Sequence, residues 1–141
     1  MKIDPEFRAA VAALCLSAPT CVIVDAEVDG SRALGEYLAA RGLRVWTAHS
    51  GEEALRVIQR VQPTLVLADL MPVGIGKCSL LASIRKLSPR SRIVILTGWV
   101  PSHINSIIQW YQVDACCLKP VSVEALQQVV GKTLNAPSLI K

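Results

Sequence analysis

Aromatic side chains are scarce: one phenylalanine, two tyrosines and three tryptophans make up 4% of the 141 residues. With apolar residues at 52%, the core has to be aliphatic, which suits a β-branched parallel sheet covered by helices. The length allows one domain with its own core and is too short for two. No segment approaches the length of a transmembrane span. The apolar stretch from Ala9 to Ala18 follows Lys2 and Arg8, but it is short and carries Asp4 and Glu6 in the would-be basic region, so it does not read as an export signal. The five cysteines, Cys15, Cys21, Cys78, Cys116 and Cys117, form no C-x-x-C pair and read as buried thiols of a cytoplasmic protein. There is no helix-turn-helix, no zinc finger and no basic stripe interleaved with aromatics. The net charge of +4 is mild, and its local cluster of Arg85, Lys86, Arg90 and Arg92 reads as a solvated helix end and loop. Neither a membrane nor direct contact with nucleic acid is therefore expected.

What the chain does have is a set of apolar runs that end abruptly on chemistry. Thr64-Leu65-Val66-Leu67-Ala68 stops at Asp69, and Cys21-Val22-Ile23-Val24 stops at Asp25. Arg92-Ile93-Val94-Ile95-Leu96 runs into Thr97 and Gly98, and Ala115-Cys116-Cys117-Leu118 delivers Lys119 and Pro120. The carboxyl ends of parallel strands are where open α/β sheets place their ligands. Two carboxylates, a hydroxyl and an ammonium gathered there could bind a divalent metal and receive a phosphoryl group.

Between these runs lie amphipathic segments with their own stop and start signals. A first helix over about Gly30 to Arg41 places Leu34, Tyr37, Leu38 and Arg41 on one face and ends at Gly42. A strand from Leu43 to Ala48 follows. Ser50-Gly51-Glu52-Glu53 is a capping box in which Ser50 and Glu53 can satisfy each other's amides, ahead of the buried stripe Ala54, Leu55 and Ile58. Leu80, Leu81, Ile84 and Leu87 define a third helix, stopped by Pro89. Ser102 is the expected cap of a fourth, with Ile104, Ile107, Ile108 and Tyr111 on its inner face and Trp110 on the other side. The last helix starts near Ser122 and buries Leu126, Val129 and Val130. Residues 1–19 read as an N-terminal extension. Its first residues, Met1 to Phe7, fit no later element, as a cloning remnant would not, and are left out of the fold. Residues 20–134 read as the domain and 135–141 as a tail or the start of a linker.

Val24-Asp25, Gly42, Gly51-Glu52-Glu53-Ala54-Leu55, Asp69-Leu70-Met71-Pro72, Leu96-Thr97-Gly98 and Lys119-Pro120, in this order and spacing, resemble the receiver domain of two-component response regulators. The resemblance covers about residues 20 to 132. It implies a flavodoxin-like (βα)5 α/β fold, a three-layer sandwich around a five-stranded parallel sheet of order 2-1-3-4-5. It also implies that Asp69 accepts a phosphoryl group from a sensor histidine kinase or a phosphotransfer protein. Mg²⁺ would be held by Asp25, Asp69 and the backbone carbonyl of Met71. Lys119 and Thr97 would contact the phosphoryl oxygens, and the Lys119-Pro120 bond would be cis. Such a domain is a signalling module and not an enzyme. An aspartate-nucleophile phosphatase would carry a second acid where Met71 stands.

The chain departs from the receiver pattern at the acidic pair, which is normally adjacent and here reads Asp25-Ala26-Glu27. Asp25 or the longer Glu27 would have to replace the missing carboxylate, so a weakened metal site is expected. Damage severe enough to abolish metal binding would leave a pseudo-receiver, a module that binds partners without phosphorylation. Cys116 stands where an aromatic switch residue is common. Trp99, Trp110 and Cys116 mark the fourth-helix and fifth-strand side as the expected partner surface, with a homodimer as one use of it.

Overall fold

The computed structural model describes residues 4–8, 18–69, 77–98 and 102–135. β1 (Thr20–Val24), β2 (Arg44–Ala48), β3 (Leu65–Ala68), β4 (Arg92–Thr97) and β5 (Ala115–Leu118) alternate with α1 (Val28–Ala39), α2 (Gly51–Val61), α3 (Lys77–Leu87), α4 (Ile104–Tyr111) and α5 (Val123–Asn135). All pairings are parallel and the strand order is β2-β1-β3-β4-β5, the order that the receiver resemblance implies. The order reverses between β1 and β3, which makes their carboxyl ends the topological switch point of the sheet.

Period-two alternation sends the central strands' side chains to opposite faces, and each face carries its own core. On one face Val22, Val24, Val66, Ile93 and Ile95 pack with Ala54 and Ile58 of α2, Leu80, Leu81 and Ile84 of α3, and Ile107 of α4. On the other, Cys21, Ile23, Leu65, Leu67 and Val94 pack with Leu38 of α1 and Leu126, Val130 and Leu134 of α5. Three layers result.

Helix α1 begins earlier than the expected Gly30, and its fully buried stripe is Ser31, Gly35 and Leu38, with Leu34 and Tyr37 at the margin. Small residues prevail because the helix lies close on the sheet: a Cβ on Gly35 would sit 3.4 Å from the Val45 Cγ1. Gly42, at φ 102°, turns the chain out of α1, with Gly42 N donating to Ala39 O and Leu43 N to Leu38 O.

Ser50 caps α2 by accepting from Glu53 N at 3.1 Å, but the Glu53 carboxylate reaches His49 N at 3.4 Å, so the box closes one residue upstream of the expected partner. Replacing Ser50 by alanine leaves a first-turn amide without its acceptor and is expected to cost about 1 kcal/mol in urea unfolding. Ser102 does not cap α4. That helix starts after His103, whose side chain makes no capping bond.

Two helix ends carry no glycine signal. Gln62 and Gln112 adopt left-handed backbone at φ 50° and 54°. Distant groups hold these turns: the Gln62 side chain reaches across to donate from Nε2 to Leu87 O at 2.9 Å, while Arg85 donates to Tyr111 O and Gln112 O, both at 3.0 Å. Arg85 also donates to Pro89 O and Ser91 O, and Arg92 donates to Thr133 O at 2.6 Å. Half of the basic cluster read as solvated is thus a set of clamps between elements; Lys86 and Arg90 are the exposed members.

The opening segment, left out of the fold on the sequence pattern, packs onto it. Phe7 is buried in the α1–α5 core, and Asp4 N donates to Gln127 Oε1 of α5 at 2.8 Å.

Candidate functional site

Each strand-end residue continues the sheet's hydrogen bonding by one step, and this fixes its position. Asp25 N donates to Ala48 O at 2.9 Å, Asp69 N to Val24 O at 2.9 Å, and Lys119 N to Thr97 O at 2.7 Å. The side chains then converge over the switch point. Lys119 Nζ lies 2.7 Å from Asp25 Oδ2 and 3.1 Å from Asp69 Oδ2. Asp25, Asp69 and Lys119, drawn from three strand ends, thereby form one charge cluster. Thr97 is fully buried at the end of β4, beside it. The Lys119-Pro120 peptide is cis.

Asp25 is held on every side. Its Oδ1 accepts from Glu27 N at 2.9 Å, a local turn that shapes the entry to α1. His49 Nδ1 lies 3.0 Å from its carbonyl oxygen; since a carbonyl only accepts, this nitrogen carries the proton. Nothing in the sequence pattern pointed to His49 beyond its place at the end of β2.

Burial alone would lower the Lys119 pKa, but hydrogen bonds and charge from Asp25 and Asp69 override it and hold the ammonium above its ordinary 10.5. Lys119 is therefore charged throughout the neutral range. Its two carboxylate partners are hard oxygen donors close enough together to share one cation, and such a pair plus waters fits the way Mg²⁺ is bound. The fit is a lean one. Among the described residues no three His, Cys, Asp or Glu side chains gather as a ligand cluster, so Glu27 does not join Asp25 and Asp69. Strand geometry explains this, since Glu27 already belongs to the exposed entry of α1. Met71, expected to lend a carbonyl, lies outside the described residues.

On the expected partner surface, Trp110 is 70% exposed. Cys116 is partly buried and packs against the same core cluster as Ile104, Ile108 and Tyr111 of α4. Its thiol is pushed up by burial and by the neighbouring Cys117. The exposed apolar residue of β5 is Leu118, which the pattern of the run did not single out. Trp99 lies outside the described residues. None of the helices among the described residues is long and apolar enough to cross a membrane.

Comparison with known proteins bears on the cluster. Residues 21–131 match the family model described as response regulator receiver domain. The transcriptional regulatory protein GlrR of Escherichia coli K12 is 34% identical over 116 residues, which are 81% of this chain and 26% of that protein. The chain thus spans about a quarter of that relative's length. Among solved structures, a response regulator receiver domain protein (CheY-like) from Methanospirillum hungatei superposes with a TM-score of 0.80 at 24% identity, over 84% of this chain and 95% of its own. The response regulator TrrA of Thermotoga maritima, in complex with Mg²⁺-BeF, gives 0.70 at 29% identity, over 82% of this chain and 98% of its own.

Proposed function

We infer that this chain, which belongs to the family of response regulator receiver domains, takes a phosphoryl group onto Asp69 from the phosphohistidine of a sensor kinase or phosphotransfer protein. The observation that carries this reading is the convergence of Asp25, Asp69 and Lys119 on one point at the switch of the sheet. In the transfer, an Asp69 carboxylate oxygen forms a bond to phosphorus as the bond from phosphorus to the donor imidazole nitrogen breaks. A carboxylate approaching an anion needs its charge screened, and Mg²⁺, when bound, supplies that screening. Asp25 and Asp69 are the side chains that would hold it, and the Mg²⁺-BeF complex of TrrA favours this for a relative of the same fold. Lys119 acts as a point charge: it leaves its bridging position and pairs with a phosphoryl oxygen. The Thr97 hydroxyl donates to another. The added charge then biases the domain toward a second packing of α4 against β5, read out at Trp110 and Leu118 by a partner or a second copy. On this reading the domain passes on a signal and is not an enzyme acting on a separate substrate, and its place is the cytoplasm.

Ala26 favours a second reading. With a methyl group where receivers present a carboxylate, and with Lys119 already paired to both acids, the cluster holds together without metal. A pseudo-receiver would bind its partner in that state.

Incubation with acetyl phosphate and Mg²⁺, followed by intact mass, decides between them. The expected result is one phosphoryl adduct on the parent and none on Asp69→Ala. Restoring the adjacent acids with Ala26→Asp is expected to lower the Mg²⁺ concentration needed by about tenfold, one good oxygen ligand's worth. No adduct on either protein under donor and metal excess would favour the pseudo-receiver.

A further inference from the structure

Glycine at position 30 has no explanation in the backbone. It lies inside α1 without positive φ, where glycine is a poor helix former, and a Cβ there would meet nothing nearer than the Glu27 Cδ at 3.9 Å. What its missing side chain leaves is space. A cavity of about 410 Å³ opens between α1 and α5 beside the charge cluster, with Leu34, Leu96, Val121 and Leu126 as its apolar walls. Its volume lies in the range of small-molecule sites, which pair apolar walls with a few convergent polar groups.

The polar groups here are all at one end: Asp25, Glu27 and Lys119. Lys119 is held by Asp25 and Asp69, so the cavity's own charge is set by Glu27, whose carboxylate makes no ion pair among the described residues. Glu27 is exposed and gives no side-chain cap to α1. Neither the fold nor the phosphoryl site uses it.

The geometry points to a binding site for an amphipathic organic cation, with an apolar or aromatic body seated between Leu34 and Leu126 and an ammonium on Glu27. An anionic ligand would face Glu27 and Asp25 with only one cation present, already shared. A wholly apolar ligand would leave Glu27 without the partner that distinguishes this end of the cavity. The site borders the phosphoryl cluster through Asp25 and Lys119, while its apolar walls and Glu27 take no part in that chemistry, so it is tested in the unphosphorylated protein.

Three probes of one shape test it: 2-phenylethylammonium, 2-phenylethanol and 3-phenylpropionate, titrated into the metal-free protein while the backbone amides of Gly30 and Leu126 are followed by NMR. The ammonium is expected to bind about fivefold tighter than the alcohol, the size of one partly solvated ion pair, and the carboxylate weakest of all. Glu27→Gln should bring ammonium and alcohol together while the alcohol's affinity stays unchanged. Gly30→Leu, whose side chain leans toward the amino end of α1 and fills the space, should abolish binding of both. That variant sits at an exposed helical position, and circular dichroism verifies that it folds. Equal affinity for ammonium and alcohol in the parent, binding that survives Gly30→Leu, or no shift at millimolar ammonium would each overturn the proposal.

Discussion

Lys119→Met is expected to lose about 2 kcal/mol of stability in metal-free urea unfolding at pH 7 and to recover most of it in saturating Mg²⁺. The argument starts from exposure. Asp25 and Asp69 side chains are 13% and 15% exposed and Lys119 is 30% exposed, so the trio sits in a crevice that water reaches only partly. Removing one partner from a fully buried pair costs about 3–5 kcal/mol because the remaining charge is stranded. Partial solvation reduces that here, while the facing of two carboxylates keeps it substantial. A divalent cation entering between them replaces the lost ammonium, so the variant gains more from Mg²⁺ than the parent, in which the ammonium competes for the same oxygens. Equal deficits with and without Mg²⁺ would mean that the cation does not enter between the acids.

The pH dependence has a definite sign. Because the folded state raises the Lys119 pKa above 10.5, its contribution is complete below that value and is lost only as pH rises through the folded value. The difference between parent and Lys119→Met should therefore be flat from neutral pH to about 9 and shrink only in strongly alkaline solution. The same variant should accept a phosphoryl group poorly even with abundant Mg²⁺, since the Thr97 hydroxyl remains but no cationic side chain then pairs with a phosphoryl oxygen.

Phe7→Ala is the second large effect, at about 3 kcal/mol by urea unfolding. Phe7 is 1% exposed and shares its cluster with Leu38, Leu43 and Leu134, so truncation empties volume that helices on both sides already surround. Its backbone seat is just as tight. A Cβ on Gly131 would lie 3.1 Å from the Phe7 N and Cα, and backbone cannot yield as a flexible side chain does. Gly131→Ala should therefore fail to deliver the gain of about 1 kcal/mol that alanine normally brings to a helix interior. Gly131 belongs to the later turns of α5, away from the Ser122 end that follows Lys119, so phosphoryl acceptance by folded Phe7→Ala should match the parent. A loss below about 1 kcal/mol would show that the opening segment only lies on the surface.

These two effects separate what could be read in advance from what could not. Asp25, Asp69, Thr97 and Lys119 were legible because each ends a run of β-branched and aliphatic residues, and a parallel sheet sends such ends to one edge. Gly42, Ser50 and Ser122 were legible because their work is done within a few residues: Ala125 N donates to Ser122 Oγ at 3.1 Å, and Glu53 N to Ser50 Oγ at the same distance. Gln62 and Gln112 were not, since each left-handed glutamine is held by a hydrogen bond to a distant helix: Gln62 donates to Leu87 O, and Gln112 O accepts from Arg85. Nor was the role of Arg85 and Arg92, whose spacing looked like a solvated cluster and whose partners lie across loops and on α5.

The sequence by itself thus determined the alternation of strands and helices, their parallel order through the family resemblance, and the chemistry assembled at the strand ends. Periodicity, caps and strand-end residues are local signals, and they survive in one dimension. Tertiary structure alone decided that Lys119 bridges both acids, that Glu27 stays out of their cluster and borders a cavity beside Gly30, and that Phe7 belongs to the core. Each depends on groups far apart in the chain meeting in space, where close packing and the pairing of buried charge select the partner and no spacing in the sequence records the choice.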